Sequence, residues 1–243
     1  MSASPTRENP HWYLHSLHEY VAEPLETALA ALDREHGELT AESEALETFR
    51  DIVVDVDTEG PQGRAPAALQ TPTKATGATD TVRGAYERTF FDVAHQEEVY
   101  GDSLVESLAR EFGWDFASVL RPGNSVQFSP AQKQALLAAT ERSIDQRQSL
   151  LACVESEQES VERASTALRD LLEPIDSSVL PEWYRSTFEA ELRAITDTRQ
   201  QTLHDRTETF DNHDFCSYLY ESAEWTYPVL TSVARLRESV SLS

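Results

Sequence analysis

The positions of proline and glycine restrict this chain to a helical fold. Its 243 residues include only eight glycines and eleven prolines, and most of the prolines cluster in short joints between long segments. Within the long segments, apolar residues recur at spacings of three and four, which places them on one face of an α-helix. No series of segments alternates with the period of two that strands and hairpins show. The pattern therefore predicts an all-α protein.

The first long segment carries an apolar residue at every seventh position. These residues are Leu25, Leu32, Leu39, Leu46 and Val53. A repeat of seven keeps one side of a helix against a partner helix. The row beside it is largely polar, with His36, Ser43 and Arg50. Two interpretations stay open: a zipper dimer, or an amphipathic helix packed within the chain's own bundle.

Proline and glycine also predict the domain organisation. Pro24 predicts a helix start or kink, so residues 1–56 are expected to hold a short helix followed by the long amphipathic one. Residues 57–80 are rich in Pro, Gly and Thr and predict a flexible linker or loop. Residues 81–243 are expected to form a helical domain, in one bundle with residues 10–56.

Three further helical regions follow the predicted linker. One extends over 82–112, with Gly101 and Gly113 as possible interruptions or caps. A fourth helix extends over 183–210 before an aromatic cap that begins at Phe215. Between them, Ser129 and Gln132 form a capping box around Pro130, so a helix of about 39 residues is expected to begin there. Its length resembles that of the first helix. We therefore predict an elongated antiparallel bundle of coiled-coil-like helices with a small C-terminal aromatic helical cap.

Charge indicates the solvent in which the chain works. There are 43 Asp and Glu against 20 Lys and Arg, a formal net charge of −23, and lysine occurs only at positions 74 and 133. Molar salt would suppress this self-repulsion, because the screening length falls to about 3 Å at 1 M. The composition favours the cytoplasm of a halophile over an ordinary acidic protein. No basic stripe, signal peptide or long apolar segment is present, so neither nucleic-acid binding nor membrane insertion is predicted.

Three groups of residues are candidates for metal chemistry. They are His11, His15 and His18 on one helix face; Asp92, His95 and Glu98; and the pairs His204–Asp205 and His213–Asp214. Each group lacks the further ligands that would close a metal site, and exposed or packing roles are favoured. Glycine-rich phosphate loops, nucleophile elbows and zinc-protease motifs are absent from the sequence. We therefore predict no catalytic, cofactor-binding or metal-binding residue.

A dense aromatic patch near the C-terminus allows two interpretations. It contains Phe215, Tyr218, Leu219, Tyr220, Trp225 and Tyr227, with Arg235 and Arg237 beyond it. Aromatic rings beside arginine could stack on nucleic-acid bases. The aromatic positions alternate between helix faces, however, which favours a buried cap with some hydroxyls at the surface.

Three stretches are similar to a known family. They are VRGAYERTFFDVAHQEEVYGDSLVESLAREFG at 82–113, PAQKQALLAATERSIDQRQSLL at 130–151 and FCSYLYESAEWTYPVL at 215–230. They resemble an uncharacterised family of helical proteins from halophilic archaea, a domain of unknown function. The resemblance implies that lineage, a cytoplasmic location and helical character. It implies no catalytic residue.

Three functions are compatible with the sequence. The first is a non-enzymatic helical interaction or scaffold protein that binds itself or another protein through its amphipathic helices, with the Leu25–Val53 row as a candidate surface. The second is a helical sensor that binds a small ligand between bundle helices near the aromatic cap. The third is a metal-dependent enzyme that uses the histidines.

Overall fold

The computed structural model describes residues 10–58, 77–93, 103–124, 128–174, 180, 182–206 and 212–241. Within these ranges there are eight α-helices and no strand, which confirms the all-α prediction. The helices are α1 (Pro10–Asp55), α2 (Ala78–Tyr86), α3 (Leu104–Phe112), α4 (Trp114–Leu120), α5 (Pro130–Leu172), α6 (Glu182–Arg206), α7 (Asn212–Leu219) and α8 (Pro228–Ser241). A π-helical turn, Glu87–Phe91, follows α2 directly.

The described residues fall into two compact units. One is continuous in sequence, Gly37–Leu151, and the other is discontinuous, combining Met1–His36 with Ala152–Ser243. We call them the continuous and the discontinuous unit. Helices α1 and α5 contribute residues to both. The predicted division at 57–80 stays a prediction, since residues 59–76 lie outside the described ranges.

In the continuous unit, contacts between α1 and α5 run antiparallel. Arg147 on α5 binds Glu42 near the unit's first residue, Arg50 binds Glu141, and Lys133 reaches the end of α1. The core beside them is aromatic and contains Phe49, Tyr86, Phe90 and Phe112, whose neighbouring ring centroids lie 5.5–5.7 Å apart. Such pairs add to the free energy gained from burying their area.

Lys133 caps the C-terminal end of α1 by binding one carbonyl group of its last turn and one just beyond it. Its Nζ atom donates to the backbone oxygens of Val54 at 2.6 Å and Val56 at 2.7 Å. The last carbonyls of a helix have no partner within the helix and carry a partial negative charge, so a cation is stabilising there. One of the chain's two lysines therefore has a structural role that the composition alone does not reveal.

In the discontinuous unit, α1 and α5 are again antiparallel. Gln158 donates to Asp33, and His36 contacts Glu155. Helices α6, α7 and α8 supply the remaining apolar side chains of this core. Its buried members include Leu25, Leu32, Val154, Val161, Leu168, Phe188, Leu192, Phe215, Val233 and Leu236.

The row of apolar residues at every seventh position is buried in the chain's own interior. Leu25, Leu32, Leu39, Leu46 and Val53 are each no more than 6% exposed. This confirms packing within the chain's own bundle. The zipper interpretation placed a dimer contact on this row, and that placement was wrong. The row is already covered within one chain, so a second copy could reach it only if the helices separated.

Helix α1 continues through Pro24 without a break, so the predicted short lead-in helix was wrong. Proline has no N–H, which leaves the carbonyl of the residue four positions earlier, Tyr20, without its helical partner. The Nη1 atom of Arg235 on α8 donates to that oxygen at 2.8 Å. The same guanidinium lies 4.4 Å from the Tyr20 ring centroid and pairs with Glu23. A distant side chain thus replaces the lost backbone donor.

We expect Arg235→Met to lower the free energy of unfolding by about 1–3 kcal/mol, because it leaves the Tyr20 carbonyl without a donor. In a Pro24→Ala background the cost should fall, since the introduced alanine restores the helical N–H. Chemical denaturation of the single and double variants measures this coupling. The control is Arg237→Met, at an exposed position on the same helix, where we expect less than about 0.5 kcal/mol. An equal cost of Arg235→Met in both backgrounds would contradict the explanation.

Two predicted helix boundaries change and one is confirmed. The predicted helical region over 82–112 has its bounds moved: it begins earlier, with α2 at Ala78 inside the predicted linker, and its first helical segment ends at Phe91, ten residues before the possible interruption at Gly101. Helix α3 then starts at Leu104. Helix α5 begins at Pro130 as predicted, with Gln132 N donating to Ser129 Oγ at 3.2 Å and Ser129 N donating to Gln132 Oε1 at 2.9 Å. The predicted helix over 183–210 is described as far as Arg206.

Candidate functional site

A buried ionic cluster lies in the discontinuous unit. Arg199 on α6 and Glu157 on α5 form a two-pronged ion pair, with Nη1 at 2.8 Å from Oε2 and Nη2 at 2.7 Å from Oε1. Their side chains are 1% and 0% exposed. The Tyr220 hydroxyl donates to Glu157 Oε1 at 2.8 Å, and Arg199 Nη1 also donates to Ser160 Oγ at 3.0 Å. We call these four residues the Arg199 cluster.

The cluster holds both ionised groups away from water. Burial lowers the pKa of Arg199, but hydrogen bonding and attraction to Glu157 outweigh it and raise that pKa overall. Burial, followed by the Glu157 carboxylate, raises the pKa of the Tyr220 hydroxyl, which therefore stays a proton donor. In this cluster Arg199 and Tyr220 donate hydrogen bonds and Glu157 accepts them. None of these groups is activated as a nucleophile.

Two buried polar atoms in this unit have no hydrogen-bond partner among the residues that the structure describes. They are Arg199 Nε and Ser232 Oγ. An unsatisfied buried donor costs about 1–3 kcal/mol, and more when the group is charged, so such atoms are rare in native proteins. The Nε–H group of Arg199 is therefore a donor for which the described part of the chain supplies no acceptor.

A cleft of about 210 Å³ lies beside the cluster, between α5 and α6. Its walls are formed by Ser160, Ala164 and Ala167 on α5 and by Ala194, Ile195 and Arg199 on α6, among others. Small side chains leave this space because they do not fill the groove between the two helices. A second cleft, of about 280 Å³, lies between residues 19–26 of α1 and the end of α5 and is lined by Leu25, Leu168 and several charged side chains.

The continuous unit contains a second ionic cluster. Arg147 Nε donates to Glu42 at 2.6 Å, and its two Nη atoms donate to the two carboxylate oxygens of Glu111 at 2.9 Å each. The guanidinium also lies 5.0 Å from the Phe90 ring centroid. Arg147 thus binds Glu42 of α1 and Glu111 of α3 from its own position on α5. These contacts connect three helices, which indicates a structural role.

The predicted metal candidates do not form a site where the structure describes them. No group of three or more His, Cys, Asp or Glu able to hold a metal ion occurs among the described residues. His204 is exposed, and the Nδ1 atom of His213 lies 3.2 Å from the Tyr227 hydroxyl. His95 and Glu98 lie outside the described residues, as do the side chains of His11, His15 and His18.

The aromatic patch is largely a buried cap. Phe215, Leu219 and Tyr220 are 3–6% exposed, and Tyr220 completes the Arg199 cluster. Tyr218 is 52% exposed, and its hydroxyl donates to Glu35 at 2.7 Å. Arg235, a candidate for stacking on bases, is instead bound to Tyr20 and Glu23. The preference for a buried cap over a base-stacking surface is supported by these contacts.

Trp183 is the large apolar side chain with the greatest exposure in the described ranges, at 75%. It stands at the second residue of α6, with its ring centroid 5.5 Å from that of Tyr184. The Tyr184 hydroxyl donates to the Leu171 carbonyl at 3.3 Å, which ties this pair of rings to α5. Trp114, at the start of α4 in the continuous unit, is 67% exposed.

A family model described as "Domain of unknown function (DUF7260)" matches residues 23–242. The chain belongs to the DUF7260 family. No curated protein and no solved structure matches the sequence. The expected membership of an uncharacterised domain family is thereby confirmed, whereas the archaeal lineage stays a prediction.

The DUF7260 match encloses the Arg199 cluster, the cleft beside it and Trp183. Within the described residues, no helix of this DUF7260 protein is both long and apolar enough to cross a membrane.

Sequence reasoning missed the Arg199 cluster, although a signal existed. Glu157 stands between Val154 and Val161 on the apolar face of α5, and Arg199 follows Leu192 and Ile195 on that of α6. Opposite charges on two apolar faces indicate a buried ion pair.

Proposed function

We propose that this protein is a non-enzymatic helical interaction protein of a salt-rich cytoplasm, and that it binds a second protein through the surface around Trp183. The observation that carries the proposal is the 75% exposure of an indole near the start of helix α6. Tryptophan buries 150–250 Å² when covered and is enriched at the centres of protein interfaces. Leaving such a side chain in water therefore indicates a surface that a partner covers.

The contacts of Trp183 support the proposal, because they partly order its side chain before a partner binds. Its ring is braced by Tyr184, and the Tyr184 hydroxyl is bound to the end of α5 through Leu171. A side chain already held in one arrangement loses less conformational entropy on binding. The contact with the Tyr184 ring limits the positions open to the Trp183 ring, which lowers the entropy lost when a partner covers it.

The charges along the exposed side of α6 favour a different protein over a second copy. Exposed acidic positions on α6 outnumber basic ones between 182 and 197: Glu182, Glu189, Glu191 and Asp197 against Arg185 and Arg193. A second copy would bring the same excess of negative charge, and like charges in contact within a buried interface disfavour association, because buried pairs are screened by salt much less than exposed ones. The expected partner has an apolar pocket for the indole and a basic rim.

Affinity capture from lysate of the source cells in molar KCl tests the proposal with three baits: the unaltered protein, Trp183→Ala and Trp114→Ala. We expect the unaltered protein to retain a stoichiometric partner that Trp183→Ala loses by at least about tenfold, as the loss of a central interface tryptophan predicts. Trp114→Ala removes a similarly exposed indole from the other unit and should retain the partner. Equal recovery by all three baits, or recovery of no partner, would refute the proposal.

A further inference from the structure

We propose that the cleft between α5 and α6 is a binding site for a small, uncharged molecule that has an apolar body and one hydrogen-bond acceptor. Two independent observations point there. The first is the open space of about 210 Å³ between Ala164 and Ala167 on one helix and Ala194 and Ile195 on the other. The second is Arg199, which also lines the cleft and is 2% exposed, with an Nε–H group that has no acceptor among the described residues.

The size of the cleft limits the ligand. Sites for drug-sized molecules enclose roughly 300–1,000 Å³, and this space is smaller. A molecule with one ring or a short chain fits that limit. The alanine and isoleucine walls supply the apolar contact, and burial of ligand area against them provides most of the binding free energy.

The charge balance of the cluster selects an uncharged acceptor at Nε; Arg163, the other cation that lines the cleft, is exposed to solvent. Glu157 already neutralises Arg199 through two hydrogen bonds. A ligand carboxylate at Nε would leave a second negative charge in the interior, where its desolvation opposes binding. A carbonyl or ether oxygen satisfies the Nε–H group without that cost. Because Nε is itself buried, an acceptor reaches it only when the side chains that separate it from the cleft move apart, and the hydrogen bond is then shielded from water.

Fluorine NMR titration tests the site with 4-fluoroacetophenone, whose ring and carbonyl match the expected chemistry. The matched probe 4-fluorotoluene keeps the ring and lacks the acceptor. Ala194→Leu narrows the cleft, whereas Ala190→Leu adds the same side chain one turn away on the same helix, at a position that is also exposed but does not line the cleft. Variants of Arg199 are unsuitable, because they remove the ion pair as well. Melting curves establish that both leucine variants fold.

We expect saturable binding of 4-fluoroacetophenone to the unaltered protein and to Ala190→Leu, and a loss of at least about tenfold in affinity for Ala194→Leu. The probe without an acceptor should bind at least about fivefold more weakly. Absence of saturation below about 10 mM, or equal binding to both leucine variants, would overturn the site. Equal affinity of the two probes would overturn the role of the Nε–H group. Trp183 is unchanged in every variant, so this result is independent of the proposed protein partner.

Discussion

Replacing Arg199 by methionine is expected to lower the free energy of unfolding by about 3–5 kcal/mol, the largest effect of any single substitution proposed for this chain. Glu157 is 0% exposed and would lose both hydrogen bonds from the guanidinium while keeping its charge or taking up a proton. Either outcome is costly, because a buried carboxylate needs a compensating partner. Equilibrium denaturation in molar KCl measures the change.

Two further variants separate the ion pair from side-chain size. Arg193→Met makes the same substitution six residues earlier on α6 at an exposed position, and we expect a change within about 0.5 kcal/mol. The double variant Glu157→Leu with Arg199→Met removes both charges and should recover at least about half of the loss, since an apolar pair can replace a buried ion pair. The recovery stays incomplete because Tyr220 and Ser160 lose their partners. If Arg199→Met costs no more than Arg193→Met, the ion pair does not stabilise the fold.

Lowering the KCl concentration from 2 M to 0.1 M is expected to reduce the melting temperature by at least about 10 °C, which corresponds to about 3 kcal/mol for a chain of this size. The cause is the net charge of −23. The screening length is about 3 Å at 1 M and about 10 Å at 0.1 M, so carboxylates on neighbouring helical turns begin to repel one another. Circular dichroism melting curves across the salt series measure the shift.

Sorbitol at matched osmolality is the control for this salt effect, because it favours burial without screening charge. We expect sorbitol to restore only a small part of the stability lost in 0.1 M KCl. A melting temperature that stays within about 3 °C across the series would remove the physical basis of the halophile prediction.

Local chemistry made one helix boundary predictable. The capping box of Ser129 and Gln132 around Pro130 is complete within four residues, and the structure forms both of its hydrogen bonds. The burial of the row of apolar residues at every seventh position was also predictable. The polar residues beside it, His36, Ser43 and Arg50, favoured packing within the chain over a zipper dimer. Both features depend on residues that are close together in the sequence.

The features that sequence reasoning missed depend on distant partners. Pro24 predicted a break, and the donor that relieves it, Arg235, comes from 215 residues beyond the carbonyl that it binds. Glu157 and Arg199 are 42 residues apart and lie on different helices. No local spacing pairs these residues. The cleft is less predictable still, because it arises from the separation of two helix faces and not from any motif.

The division of the chain into two units has a consequence for biosynthesis. All residues of Gly37–Leu151 are available once position 151 has been translated, so the continuous unit can complete its contacts early. The discontinuous unit combines residues before 37 with residues after 151, so Leu25 and Leu32 must wait for a core that has not yet been made. At roughly 5–20 residues per second, that delay is on the order of ten seconds. During it, the many carboxylates of the nascent α1 would help to keep its leucine face from associating with other chains.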